Sequence, residues 1–122
     1  MTNIAVIGSR EGFTQQEVIN VIEKYFNKEH DRLITGGASG VDTYAYDYID
    51  NNEDFYKQPD IIRPINTIDK INYLFRNVEI ITKADKIIIF WNGKSKGTKF
   101  VIDYAKARNK NITMIIKNQQ TL

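Results

Sequence analysis

The 122-residue sequence contains no cysteine and a single histidine, His30. The first absence removes disulfides, thiol nucleophiles and cysteine-ligated zinc. The second leaves no serine–histidine–aspartate relay and no multi-histidine metal centre, so neither a metal nor a cofactor is expected. No apolar run approaches the roughly 20 residues that span a bilayer. The chain also opens without the basic n-region and long apolar h-region of a secretory signal. A cytoplasmic protein with no membrane partner is therefore expected. Charge of one sign is scarce as well. The 17 Lys and Arg against 15 Asp and Glu leave a net charge of +2, whereas a sequence-independent nucleic-acid binder usually carries a stronger basic stripe. On this ground nucleic acid is disfavoured as a partner.

What the chain does have is enough apolar and aromatic side chains for one domain with a real core, spanning residues 1–122. Residues 4–7 and 86–91 are nearly unbroken apolar runs, as strands covered on both faces require. Shorter runs place further strands at 32–35, 60–65 and 112–116, with Pro64 marking an edge or a strand end. Helical periodicity fills the gaps at 14–28, 40–51, 67–82 and 98–109. The first of these helices opens on a Thr14/Glu17 capping box. The third places Ile71, Leu74, Phe75, Val78 and Ile81 on one stripe that should be buried. The alternation predicts an α/β fold: a single Rossmann-like, doubly wound parallel sheet of five strands in the order 3-2-1-4-5, with helices on both faces.

Three of the strands run directly into a glycine-bearing polar loop and then a helix. In such a sheet all three loops emerge on one edge, where backbone N–H groups and helix N-termini suit a phosphate-bearing ligand. In the first loop Gly8 permits a sharp turn, Ser9 adds donors, and Arg10 can meet a phosphate bidentately. In the second, Gly36 and Gly37 allow close approach to the main chain, and Gly40 allows tight packing where the helix begins. Ser39 and Asp42 are spaced as N-cap and N3 of that helix, and Asp42 is equally placed to face a ribose hydroxyl. The spacing is neither G-x-G-x-x-G nor a Walker loop, which disfavours dinucleotide and P-loop chemistry. In the third, Asn92, Gly93, Ser95, Gly97 and Thr98 form a second anion-binding helix start, with Trp91 placed to stack on a base. Arg76 and Asn77 lie within the third helix beside its apolar stripe.

The segments Ala5–Arg10, Thr35–Asp42, Arg76-Asn77, Ala84-Asp85 and Phe90–Lys99 together resemble the SLOG superfamily. That group takes in the Lonely-guy phosphoribohydrolases, DNA-processing protein A and the YspA-like proteins, and the pattern is most like the YspA-like branch. The resemblance implies a Rossmann-like sheet whose strand ends hold nucleotides or nucleotide-derived molecules. It also implies a place for Arg76 at the pocket and a homo-oligomeric state. Hydrolytic members carry a P-G-G-x-G-T-x-x-E type segment, and here Val101 falls where that glutamate would stand. A valine cannot move a proton, so a catalytic acid would have to be Asp42 or Asp103. The leading expectation is binding, for sensing or sequestration, of a nucleotide-derived small molecule such as an ADP-ribose-like species. Gly8, Ser9, Gly36, Gly37, Gly97 and Thr98 would hold its phosphates, and Trp91 or Asn92 would meet its base. An N-glycosidase acting on a nucleoside monophosphate ranks second, and single-stranded DNA binding third.

Overall fold

The two unbroken apolar runs become adjacent central strands, β1 (Thr2–Gly8) and β4 (Lys86–Trp91), paired in parallel with Ala5 opposite Ile87 and Ile7 opposite Ile89. This computed structural model describes residues 2–117. β2 (Asp31–Thr35) flanks β1, and β5 (Asn111–Ile116) flanks β4. A short β3 (Asp60–Ile61) closes the far edge, so the parallel sheet has the order β3-β2-β1-β4-β5. That is the five-stranded, helix-flanked arrangement the sequence predicts.

Alternation along the strands divides the core in two. Ile4, Val6, Leu33, Ile88 and Phe90 face α1 (Gln15–Tyr25) and α2 (Val41–Asp50), where Val18, Ile22, Val41 and Ala45 complete the layer. Ala5, Ile7, Ile34, Ile87 and Ile89 face the other way. They pack on Ile80 and Ile81 of α3 (Lys70–Lys83) and on Val101, Ile102 and Ala105 of α4 (Lys96–Ala107).

The Thr14/Glu17 box forms as expected. The Glu17 N–H donates to the Thr14 hydroxyl at 3.2 Å, and the Thr14 N–H donates to the Glu17 carboxylate at 3.0 Å. α1 stops at Tyr25 rather than 28. Phe26 turns into the core, and the Asn27 side chain accepts from the N–H groups of Glu29 and His30, closing a turn.

Two expectations fail in the same region. β3 ends at Ile61 instead of 65, because Pro64 cannot extend a ladder and restricts Arg63 before it. With only two residues of strand there, the first half of α3 overhangs the sheet. Ile71, Leu74 and Phe75 are exposed, and Asn77, Ile80 and Ile81 take the buried places. Among the described residues, no helix is long and apolar enough to cross a membrane.

Candidate anion-binding cleft at the sheet edge

β1 and β4 are neighbours whose following chains depart to opposite faces, so a crevice opens beyond their carboxyl ends. It is a cavity of about 660 Å³ between the loop after β1, the start of α4 and one side of α3. Gly8, Arg10, Asp42, Arg76, Asn77, Asn92, Ser95, Gly97 and Thr98 all line it. Gly36, Gly37 and Ser39 line a smaller adjoining cleft, which Arg10 and Arg76 also border. Ser9, Gly40, Trp91, Gly93 and Asp103 border neither.

The loop after β2 is not an open phosphate cradle. Asp42 is buried at the start of α2, and its carboxylate accepts the N–H of Gly8 at 3.1 Å, of Gly36 at 3.2 Å and of Ala38 at 3.4 Å. An internal anion therefore already occupies the main-chain donors that Gly8 and Gly36 were expected to offer a phosphate. Gly40, not Ser39, is the N-cap, with φ 83° and no side-chain cap bond. A Cβ at Gly40 would strike the Arg10 backbone, so this glycine lets the first and second loops touch. Gly8 is required by packing, since a Cβ there would lie 2.7 Å from the Val41 side chain. Ser9 is buried, and its hydroxyl accepts the Asn92 N–H at 3.1 Å. It braces the third loop instead of holding a ligand.

Burial pushes the Asp42 carboxyl up from 3.8 to about 6, while the Gly8, Ala38 and Gly36 N–H groups and the Arg76 charge pull the other way. Arg76 donates to the Gly36 carbonyl and, through Nε, to Asn77 Oδ1 at 2.9 Å. Half-buried, it is held below the usual guanidinium value first by desolvation and then also by the neighbouring charge of Arg10, with Asp42 and Tyr73 opposing. Asn77, itself buried, thus orients the arginine toward the cavity.

The start of α4 is built differently. Ser95 is the N-cap and its hydroxyl accepts the Thr98 N–H at 3.3 Å. Helix geometry leaves the N–H groups of Lys96 and Gly97 without intrahelical carbonyls. A Cβ at Gly97 would meet nothing within 4 Å. No protein contact calls for this glycine, and the space over it opens on the cavity. The Asn92 side chain accepts from the Lys94 and Ser95 N–H groups and donates to the Glu11 carbonyl, so it staples the loop and is not free to read a base. Trp91 packs on the α3–α4 core and donates its indole N–H to the Ser95 carbonyl at 3.0 Å, so the expected stacking role is corrected too. Exposed Asp103 pairs with Lys99 on α4, away from the cavity, and is removed as a candidate acid.

Sequence reasoning missed Tyr73, which lines both clefts, and Arg63, which lines the smaller one. The basic residues gathered in the second half (Lys94, Lys96, Lys99, Lys106, Arg108 and Lys110) read from sequence as a solvated helix face, without the acids of the first half set against them. Residues 63–122 hold 12 of the 17 Lys and Arg but only 4 of the 15 Asp and Glu. The small net charge is thus the sum of an acidic half and a basic half. That partition was readable in the sequence, and it removes the argument that set nucleic acid aside.

No protein-family model and no curated protein matches the sequence. Two solved structures share the fold. DNA processing protein A from Helicobacter pylori, described by its single-stranded DNA binding mode, aligns with TM-score 0.65 and 20% identity over 99% of this chain and 66% of that one. DNA processing protein A from Streptococcus pneumoniae aligns with TM-score 0.70 and 17% identity over 99% of this chain and 51% of that one. The chain thus spans between half and two-thirds of these proteins' lengths, and its fold is that of their Rossmann-like portion. These neighbours overturn the leading expectation of a free nucleotide-derived ligand, and the expectation that nucleic acid is not a partner.

Proposed function

We propose that this chain binds single-stranded DNA, holding its phosphodiester backbone in the cleft beyond β1 and β4. The observation that carries the reading is the start of α4: Gly97, whose N–H has no intrahelical carbonyl and over which the space is open, borders the same cavity as Arg10 and Arg76. Helix N-termini and guanidinium groups are the usual partners of phosphate oxygens. The shared fold with a protein described by a single-stranded DNA binding mode supports this ligand class. A concave cleft suits a flexible single strand, which can dip its phosphates inward. Val101, standing where hydrolytic SLOG members carry an acid, lines the cavity and supports holding rather than cutting. The order of the glycine and Arg76-Asn77 motifs supports placing the chain in the YspA-like branch of that superfamily.

Fluorescence anisotropy with labelled oligothymidylates, titrated at several salt concentrations, tests the function. The expected result is saturable binding that weakens with salt, because cation–phosphate contacts release counterions. Binding should be stronger to single strands than to the matching duplex. Absence of binding at low salt would refute the reading.

A further inference from the structure

The smaller cleft, about 380 Å³, adjoins the main one and shares Arg10, Ala38, Tyr73 and Arg76 with it. Its remaining charged wall is Arg63. Three guanidinium groups thus border one recess whose lining contains no carboxylate side chain. Arg10 and Arg63 enter no ion pair among the described residues. Asp42 offsets the Arg76 charge from behind the Gly36 loop, but no carboxylate in the recess offsets Arg10 and Arg63, and a bound anion relieves the cost of bringing these like charges together.

Arg63 is aimed by its position in the chain. Ile62 is buried, which turns the next side chain outward, and Pro64 restricts Arg63 to an extended backbone. The loop that it faces is shaped to receive it. Gly37 has φ 74°, and a Cβ there would lie 3.1 Å from the Ile61 side chain and 3.5 Å from an Arg63 guanidinium nitrogen. Arg76 donates to the Gly36 carbonyl, so one guanidinium group meets Gly36 and the other approaches Gly37. Tyr73 stands at the boundary of the two clefts, with the Arg76 guanidinium 5.6 Å from its ring centroid. It supplies an aromatic face beside the cationic recess, the pairing that single-strand binders use to stack a base next to a held phosphate.

We infer that the smaller cleft is a second subsite for the same strand: the phosphate in the main cleft is followed by one held between Arg63 and Arg76, with Tyr73 under the intervening base. The inference rests on the proposed single-stranded DNA binding and adds a direction to it. The strand runs from the start of α4, across α3, to the end of β3. Arg63 is the residue that only the second step needs.

Anisotropy titrations of labelled dithymidylate and hexathymidylate between about 50 and 200 mM salt test it. Wild type should bind the hexamer more tightly and with the steeper salt dependence. Arg63→Ala should lose about tenfold in hexamer affinity and about 0.7 from the logarithmic salt slope, with a smaller loss for the dimer. Arg63→Lys should recover the slope but not the full affinity, since it keeps the charge and loses the fork. Lys106→Ala, near the far end of α4, serves as the unaffected control. Arg63 is exposed, so its replacement leaves the core intact, and circular dichroism checks this. An Arg63→Ala protein with wild-type affinity and slope, while Arg76→Ala weakens both oligomers, would overturn the subsite and leave the function standing. Wild type binding neither oligomer would overturn the function and this inference with it.

Discussion

Two glycine-bearing loops lead into helices at the same sheet edge, and they have opposite contents. The loop before α2 is filled by the chain itself: Asp42 receives three N–H groups and takes the place a phosphate would have. The loop before α4 is finished only as far as Ser95 and Thr98, and beyond Gly97 there is open space. Glycine content does not separate the two, since the filled loop has more of it. What separates them is whether an acid follows at a distance from which it can fold back. A glycine-rich helix start is a binding site only when the protein has not already answered it.

The sharpest way to break this contrast is to remove Asp42. Asp42→Ala orphans three N–H groups, that of Gly36 buried and those of Gly8 and Ala38 half-buried, and should lower stability by roughly 3 kcal/mol in urea unfolding. The carboxyl sits at about 6 folded against 3.8 free, so between these values the native state binds the proton more tightly. Its favourable contribution is present below about pH 4 and is lost as pH rises through about 6, a change of roughly 3 kcal/mol. Glu17 and Glu23, both held below their ordinary value by hydrogen bonds, act in the opposite sense. The check is therefore the stability of wild type relative to Asp42→Asn, which should fall by roughly 3 kcal/mol as pH rises from about 4 to 7. DNA affinity should also rise as pH falls through that range in wild type, where protonation leaves Arg76 unbalanced, and not in Asp42→Asn.

Next in size is Arg76→Ala, which should weaken single-strand binding by about 1.5–3 kcal/mol in anisotropy titrations, as loss of a charged hydrogen bond does. Gly97→Ala fills the open loop and should act in opposite directions on two measurements. Stability should rise by about 0.5–1 kcal/mol, because glycine is a poor helix residue, while oligonucleotide affinity falls severalfold. The smallest effect belongs to Asp103→Asn, which breaks only an exposed pair with Lys99. Stability should move by less than about 0.5 kcal/mol, and DNA binding should not weaken.

The sheet order was legible because it follows from long-range rules acting on strong signals. Continuous apolar runs at 4–7 and 86–91 must be central, and right-handed crossovers then leave few arrangements. The α3 stripe misled for a physical reason. Periodicity reports which residues share a face, and it is silent on whether the sheet extends far enough to cover them. Here β3 is cut short before Pro64, and Ile71 and Phe75 are left outside. Gly8, Arg10, Arg76, Asn77, Gly97 and Thr98 were picked out by motif and do meet in one cleft. Ser9, Asn92 and Trp91 were also picked out, but the structure shows each tied to the main chain: Ser9 to the third loop, Asn92 to the first and third, and Trp91 to the third. Polar residues beside a glycine turn look alike in sequence whether they grip the main chain or a visitor. Arg63 was invisible because its partners, Gly37 and Arg76, become its neighbours only through tertiary folding.

The division of charge has a kinetic consequence. Acidic residues accumulate in the half that contains α1 and α2, and basic residues in the half that contains α3 and α4. The sheet separates these two helix pairs, so the folded chain has a permanent electrical polarity despite its small net charge. A polyanion drifting near it exerts a torque before any contact, turning the basic side to the front. Encounters would then be pre-aligned, and added salt should slow arrival more than it hastens departure.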